Sequence, residues 1–103
     1  MKAYKHLVKF ALAKNCTVSV WDGEEWQVKR SSGYKAIIEA IESVEEAELV
    51  IRDSQGEKMG WVRVSAFGLE DDETVVDNTM TDFMNSWDDA YNLTVTFSTI
   101  KLA

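Results

Sequence analysis

Asp22 and Gly23 stand between two runs of strand-forming residues, Thr17–Trp21 and Glu25–Lys29. An Asp-Gly pair between such runs is a strong local hairpin signal, so local chemistry alone ties the two runs into an antiparallel pair. Trp21 and Trp26 flank that turn, where large rings pack across a hairpin. A second hairpin follows the same logic: Ala47–Arg52, a turn through Asp53, Ser54, Gln55 and Gly56, then Met59–Phe67.

Around the hairpins the hydrophobic period becomes helical. Tyr4, Leu7, Val8, Ala11 and Leu12 recur at i, i+3, i+4, i+7 and i+8, with Lys2, Lys5 and Lys9 on the other side and Asn15 as the stop. Tyr34, Ile37, Ile38, Ile41 and Val44 form a second stripe behind a cap at Ser31 or Ser32, with Glu39, Glu42, Glu45 and Glu46 on its water side or at its end. Val76, Met80, Phe83, Met84, Trp87 and Tyr91 predict a third helix within Asp72–Tyr91. The tail Leu93–Phe97 alternates apolar and hydroxyl residues, the pattern of an edge strand. The expected order is α-β-β-α-β-β-α with room for that C-terminal strand. Two hairpins then make one antiparallel sheet of about four strands, covered by amphipathic helices in a two-layer α+β fold. A chain of 103 residues is one domain by size, residues 1–103.

Four Trp, four Phe and three Tyr within a 46% hydrophobic composition argue for a folded domain rather than an acidic tail. Apolar residues near the N-terminus are periodic rather than continuous, unlike a signal peptide, and no run reaches the length of a membrane span. Cys16 is the only cysteine, so no internal disulfide forms, which fits a reducing cytoplasm.

Charge is segregated. From Val64 to Ile100 there is no lysine or arginine, yet there are eight acids: Glu70, Asp71, Asp72, Glu73, Asp77, Asp82, Asp88 and Asp89. That window stands at −8 against +1 for the rest (11 bases, 10 acids), together the chain's −7. A field of one sign repels phosphate backbones and anionic membranes, and it favours a basic protein surface or a divalent cation. Direct nucleic-acid binding and membrane binding are therefore not expected.

Enzymatic chemistry finds little support. His6 is the sole histidine and has no orienting partner in sequence; Cys16, at a helix-to-strand junction, reads as a small core residue. The five glycines are scattered among turns, so no phosphate-cradling loop is present. Glu70–Glu73 clusters oxygen ligands but lacks the spacing and central glycine of a calcium loop, and acids at a helix start also complement the helix dipole. No cofactor or dedicated metal is expected.

On a helical wheel, Val75, Asn78, Asp82, Asn85 and Asp89 oppose the core stripe, Asp77 and Asp88 flank them, and Asp71, Asp72 and Glu73 crown the N-terminal end. An ordinary soluble helix mixes signs and gains i,i+4 pairs; this one has no compensating base. These nine polar residues (Asp71, Asp72, Glu73, Asp77, Asn78, Asp82, Asn85, Asp88 and Asp89) are the candidate partner-binding set. Imitating duplex DNA over a helix about 30 Å long takes about 18 charges. Eight acids match one defined basic site better, unless a homodimer or the acids of Glu39–Glu48 are added.

Three segments, "TVSVWDGEEW" (17–26), "LVIRDSQG" (49–56) and "DDETVVDNTMTDFMNSWDDAY" (71–91), give the chain a family likeness. In their order and content it resembles the dGTPase-inhibitor family, small early proteins of short-tailed coliphages. That family carries a strand with Asp and Trp near its end and an Ile-x-Asp-x-x-Gly hairpin. A helix of the form Asp-Glu-x-Val, then Asn-x-x-Thr-Asp-aromatic-x-Asn, follows. Here those helix positions are Asp72, Glu73, Val75, Asn78, Thr81, Asp82, Phe83 and Asn85. The middle of this chain, with the Tyr34–Val44 helix, is longer than the family pattern. The resemblance implies a non-enzymatic inhibitor of a host nucleotide-hydrolysing enzyme, working in the host cytoplasm. An anti-restriction or anti-CRISPR protein filling a DNA-binding groove, and an assembly module using the Leu93–Phe97 edge, are the alternatives.

Overall fold

The computed structural model describes residues 2–67 and 70–102, with the side chains of Asp72 and of 95–102 outside the described set. Helix α1 (Ala3–Ala13) buries Tyr4, Leu7, Val8 and Ala11 as its periodicity requires. It ends where Asn15 adopts a φ of 62°. Asn15 N–H donates to Leu12 O (3.1 Å) and Cys16 N–H to Ala11 O (3.0 Å), the paired bonds of a left-handed helix cap that asparagine tolerates well. Strands β1 (Thr17–Trp21) and β2 (Trp26–Ser31) form the expected hairpin, and the Trp21 and Trp26 rings meet edge to face at 5.1 Å. Asp22 organises the turn by accepting the Glu25 and Glu24 N–H groups (2.8 and 2.7 Å) and the Gln27 amide (2.6 Å). Those bonds hold its carboxyl below the usual range.

Helix α2 (Tyr34–Glu42) buries Ile37, Ile38 and Ile41, while Tyr34 and Val44 pack at the core's margin. Its N-cap is Gly33, not Ser31 or Ser32, and no side chain caps it. Ser31 instead belongs to β2, and its hydroxyl accepts the Gly33 N–H at 3.1 Å. Strands β3 (Ala47–Arg52) and β4 (Lys58–Val64) follow as the second hairpin.

The last third departs from the helix predicted within Asp72–Tyr91. Asp71–Glu73 is one turn of 3-10 helix, Val75–Asn78 is a fifth strand (β5), and helix α3 begins only at Asp82 and runs to Leu102. β5 pairs antiparallel with β4 through Val62–Asn78, Arg63–Asp77 and Val64–Val75. Thr74, Val75 and Val76 are β-branched and lose little as strand residues, and β4 offers an open row of backbone donors and acceptors. Thr81 then caps α3: its hydroxyl accepts the Met84 N–H (3.3 Å) and donates to Met59 O (2.7 Å). Phe83, Met84, Trp87 and Tyr91 are buried as expected, but Val76 and Met80 are exposed and leave the core stripe. Leu93–Phe97 is helical backbone rather than an edge strand.

The sheet is therefore five-stranded and antiparallel, in the order β2-β1-β3-β4-β5. Val18, Val20, Leu49, Ile51, Val62 and Val64 face the three helices and are fully buried. α3 comes so close to β4 that a Cβ on Gly60 would lie 2.8 Å from Met84 Cγ. At the far end of the core, Trp87 Nε1 donates to His6 Nδ1 (3.1 Å), and the His6 ring meets Tyr91 edge-on at 5.3 Å. An indole N–H only donates, so that bond requires His6 Nδ1 unprotonated. Burial lowers the His6 pKa in the same direction.

Two predictions come from this packing. Gly60→Ala must displace the buried Met84 and should cost about 1–3 kcal/mol in urea denaturation; an unchanged midpoint would show that α3 can slide on β4. His6, with a folded pKa below its unfolded one, binds fewer protons when folded. Its contribution is therefore present above the unfolded value of about 6.5 and is lost as pH falls through the folded value. Denaturation midpoints should drop between about pH 7 and about pH 5 more in the parent than in His6→Gln.

Candidate functional site

The acidic set is divided among three elements at one side of the molecule. Asp71 and Glu73 lie exposed on the 3-10 turn, Asp77 is exposed on β5, and Asp82, Asn85, Asp88 and Asp89 are exposed on α3. β5 is the sheet's edge strand and α3 packs over the neighbouring β4, so these elements share one edge of the sandwich. On α3 the stripe Asp82, Asn85 and Asp89 faces away from the buried Phe83, Met84 and Trp87, as the wheel predicts. Val75 and Asn78 do not belong to that stripe, because they sit on β5. The Asp72 side chain lies outside the described residues.

Several residues of the family-like pattern have structural work of their own. Thr81 caps α3, and Phe83 is core. Asn78 spends its side-chain amide on Thr79 O (2.9 Å), and its N–H goes to Asp77 Oδ1 (2.9 Å). Thr74 is fully buried; its hydroxyl donates to Asp71 O (3.0 Å) and accepts the Tyr4 N–H (3.3 Å), an orphan donor of α1's first turn that Lys2 does not cap. The Thr74 hydroxyl thereby pins the acidic loop to α1.

Among the described residues, Asp77, Asp82, Asp88 and Asp89 form no ion pair. Ion pairs elsewhere join Lys5 with Glu42 (3.8 Å), Lys35 with Glu39 (3.9 Å), and Arg63 with Glu46 (3.2 Å) and Glu48 (3.5 Å). The Arg63 Nε contact with Glu46 is an approach of charges without hydrogen-bond alignment. Glu42 also accepts the Tyr4 hydroxyl; burial first, then that carboxylate, push the phenol upward. Among the described residues, no group of three or more His, Cys, Asp or Glu side chains gathers as a metal site, and no helix is long and apolar enough to cross a membrane.

A second surface went unread in the sequence. Helices cover one face of the sheet only, and the other carries Trp26, Trp21, Glu48, Arg63 and Asp77 in one cross-strand row, with Ser19, Val50 and Trp61 in the next. Two shallow cavities adjoin there, sharing Trp26 and Val50. One of about 350 Å³ is walled by Trp21, Trp61 and Glu48; the other, of about 340 Å³, by Ser19, Lys29, Arg30 and Arg52. Alternation within Glu48–Arg52 and Trp61–Arg63 is the signal that could have placed Val50, Arg52 and Trp61 on this face.

No protein-family model, curated protein sequence or solved structure matches this chain.

The like charges of Asp77, Asp82, Asp88 and Asp89 repel one another, and salt screens that repulsion. Melting temperature should therefore rise as salt goes from about 0.01 M to about 0.15 M, and the rise should shrink in Asp82→Asn with Asp89→Asn. Equal rises in both proteins, followed by circular dichroism, would mean that the acidic edge carries no strain.

Proposed function

We propose that this chain is a non-catalytic inhibitor that sets its acidic edge on a positively charged surface of a host enzyme acting on nucleotides, with a dGTPase as the specific target. The observation that carries the reading is the outer stripe of α3, where Asp82, Asn85 and Asp89 stand exposed. Asp88 stands beside them, and neither it nor the two stripe acids meets a cation among the described residues. Exposed carboxylates of one sign, held on a helix whose other face is locked into the core, are a preorganised counter-surface for lysines and arginines around an anion-binding active site. Such a surface speeds encounter by electrostatic steering and loses affinity as salt rises. The family resemblance of residues 71–91 points to the same class of target. Leu93–Phe97 is helical backbone, so the edge strand that the assembly reading invoked is not formed there.

The test is capture from bacterial lysate and inhibition of the purified dGTPase, with Asp82→Asn/Asp89→Asn beside the parent. Both side chains are exposed, so folding should persist while capture and inhibition weaken about tenfold. Inhibition that survives both substitutions removes the acidic helix from the mechanism. Capture of a restriction or CRISPR component by the parent would shift the reading to defence evasion.

A further inference from the structure

We infer that the open sheet face is a second, independent binding site, for a short stretch of single-stranded nucleic acid: bases stack at Trp26 and Trp21, and phosphates sit in the cavity formed by Lys29, Arg30 and Arg52. This inference does not rest on the acidic-edge reading. Four observations support it.

The first is the cations. Among the described residues, Lys29, Arg30 and Arg52 make no ion pair, although the chain has an excess of acids. Arg52 Nη1 donates to Gly56 O (3.0 Å), and Arg30 Nη1 lies 3.7 Å from where a Cβ on Gly56 would stand. Two guanidinium groups thus reach the Asp53–Glu57 turn, whose carboxylates do not line the cavity; Asp53 is engaged with the N–H groups of Gln55 and Glu57. Arg63, on the same face, is matched by Glu46 and Glu48, so the uncompensated charge sits at the β2 side.

The second is the backbone. Arg30 has a φ of 48°, in the left-handed region that arginine rarely adopts. A bulge in the β1–β2 pairing places it there, and Ser19 Oγ fixes it by accepting the Arg30 N–H at 2.8 Å. Glycine would relieve that conformation. A strained arginine lining a cavity points to a use for its side chain beyond the fold.

The third is the aromatic surface beside the cations. Trp26 is 39% exposed and abuts Trp21 edge to face, leaving a ring face open beside the cavity. Trp61 carries the Arg63 guanidinium 5.4 Å from its ring centre and serves as a wall. From β2 to β4 the platform spans about 14 Å, room for two bases rather than one. Its shape is open and shallow, suited to a strand laid across it. Aromatic faces next to a basic track are the physical requirement for binding unpaired strands.

The fourth is the placement of the charges that make up the chain's −7, a sum that by itself repels a polyanion. Eight of the acids belong to Val64–Ile100, and β5 lies four strand spacings or about 19 Å from β2. Nearer the cavity stand the turn acids Asp22, Glu24, Glu25, Asp53 and Glu57, none of which lines it. Screening acts over about 8 Å at physiological salt, so the distant acids weigh little on the cavity, whose charged lining residues are Lys29, Arg30 and Arg52.

The experiment is anisotropy of a labelled oligothymidylate, read together with tryptophan fluorescence. The parent should bind at low salt and quench, and three phosphate contacts should give a log–log salt slope of about −2. Arg30→Gly should weaken binding about tenfold while the melting temperature holds or rises, since glycine accepts the backbone; Trp26→Ala should weaken it to a similar extent. Absence of binding at low salt, or binding untouched by both substitutions, overturns the inference. Thymidine monophosphate displacing the oligonucleotide at equal nucleotide concentration would assign the cavity to free nucleotides instead. Equal binding of a polyglutamate probe would assign it to acidic peptides.

Discussion

The pleat of β1, β3 and β4 sends Val18, Val20, Leu49, Ile51, Val62 and Val64 into one fully buried layer, and the positions of both candidate surfaces follow from which side that layer occupies. Burying each such side chain is worth roughly 1.5–3 kcal/mol. A slip of one residue in any of these strands would exchange them for Ser19, Val50, Arg52 or Trp61 and expose the apolar set. Three helices suffice to cover one face of five strands. Among the described residues no further element lies on the other face, and there Trp21, Trp26 and Trp61 gather with Arg30, Arg52 and Arg63.

The acidic segment is attached to this framework by few but specific contacts. Gly60 lets Met84 lie against β4, Thr81 caps α3, and Thr74 satisfies a donor of α1 while closing the 3-10 turn. All three attachments use small or uncharged groups, which leaves the carboxylates outside. That division suits a surface shaped for a partner: core residues set position, and exposed residues set charge.

The two surfaces have opposite electrostatic character. One edge, formed by the 3-10 turn, β5 and α3, presents acids; the β2 side of the open face presents Lys29, Arg30 and Arg52 around aromatic rings. Strand order separates them, since β5 and β2 are the two edges of the sheet. An inhibitor of a nucleotide-acting enzyme with an unpaired-strand site on its far face would bring two ligands of opposite charge to one small domain without either field cancelling the other.

What the sequence settled by itself was whatever short-range chemistry decides. Asp22-Gly23 fixed one hairpin, Asn15 ended α1, and the 3.6-residue stripes identified the buried faces of α1, α2 and the start of α3. The exposure of Asp82, Asn85 and Asp89 was legible because Phe83, Met84 and Trp87 mark the opposite side of the same helix. Val75–Asn78 was not legible. Its apolar spacing continues that of α3, and only the unpaired edge of β4 turns it into a strand, because backbone hydrogen bonds to a neighbour far along the chain outweigh a weak local preference. The open face was decided the same way. A strand's alternation shows that it has two sides, but which side meets the helices, and so which tryptophans and arginines meet one another, is a property of packing between elements that no single segment encodes.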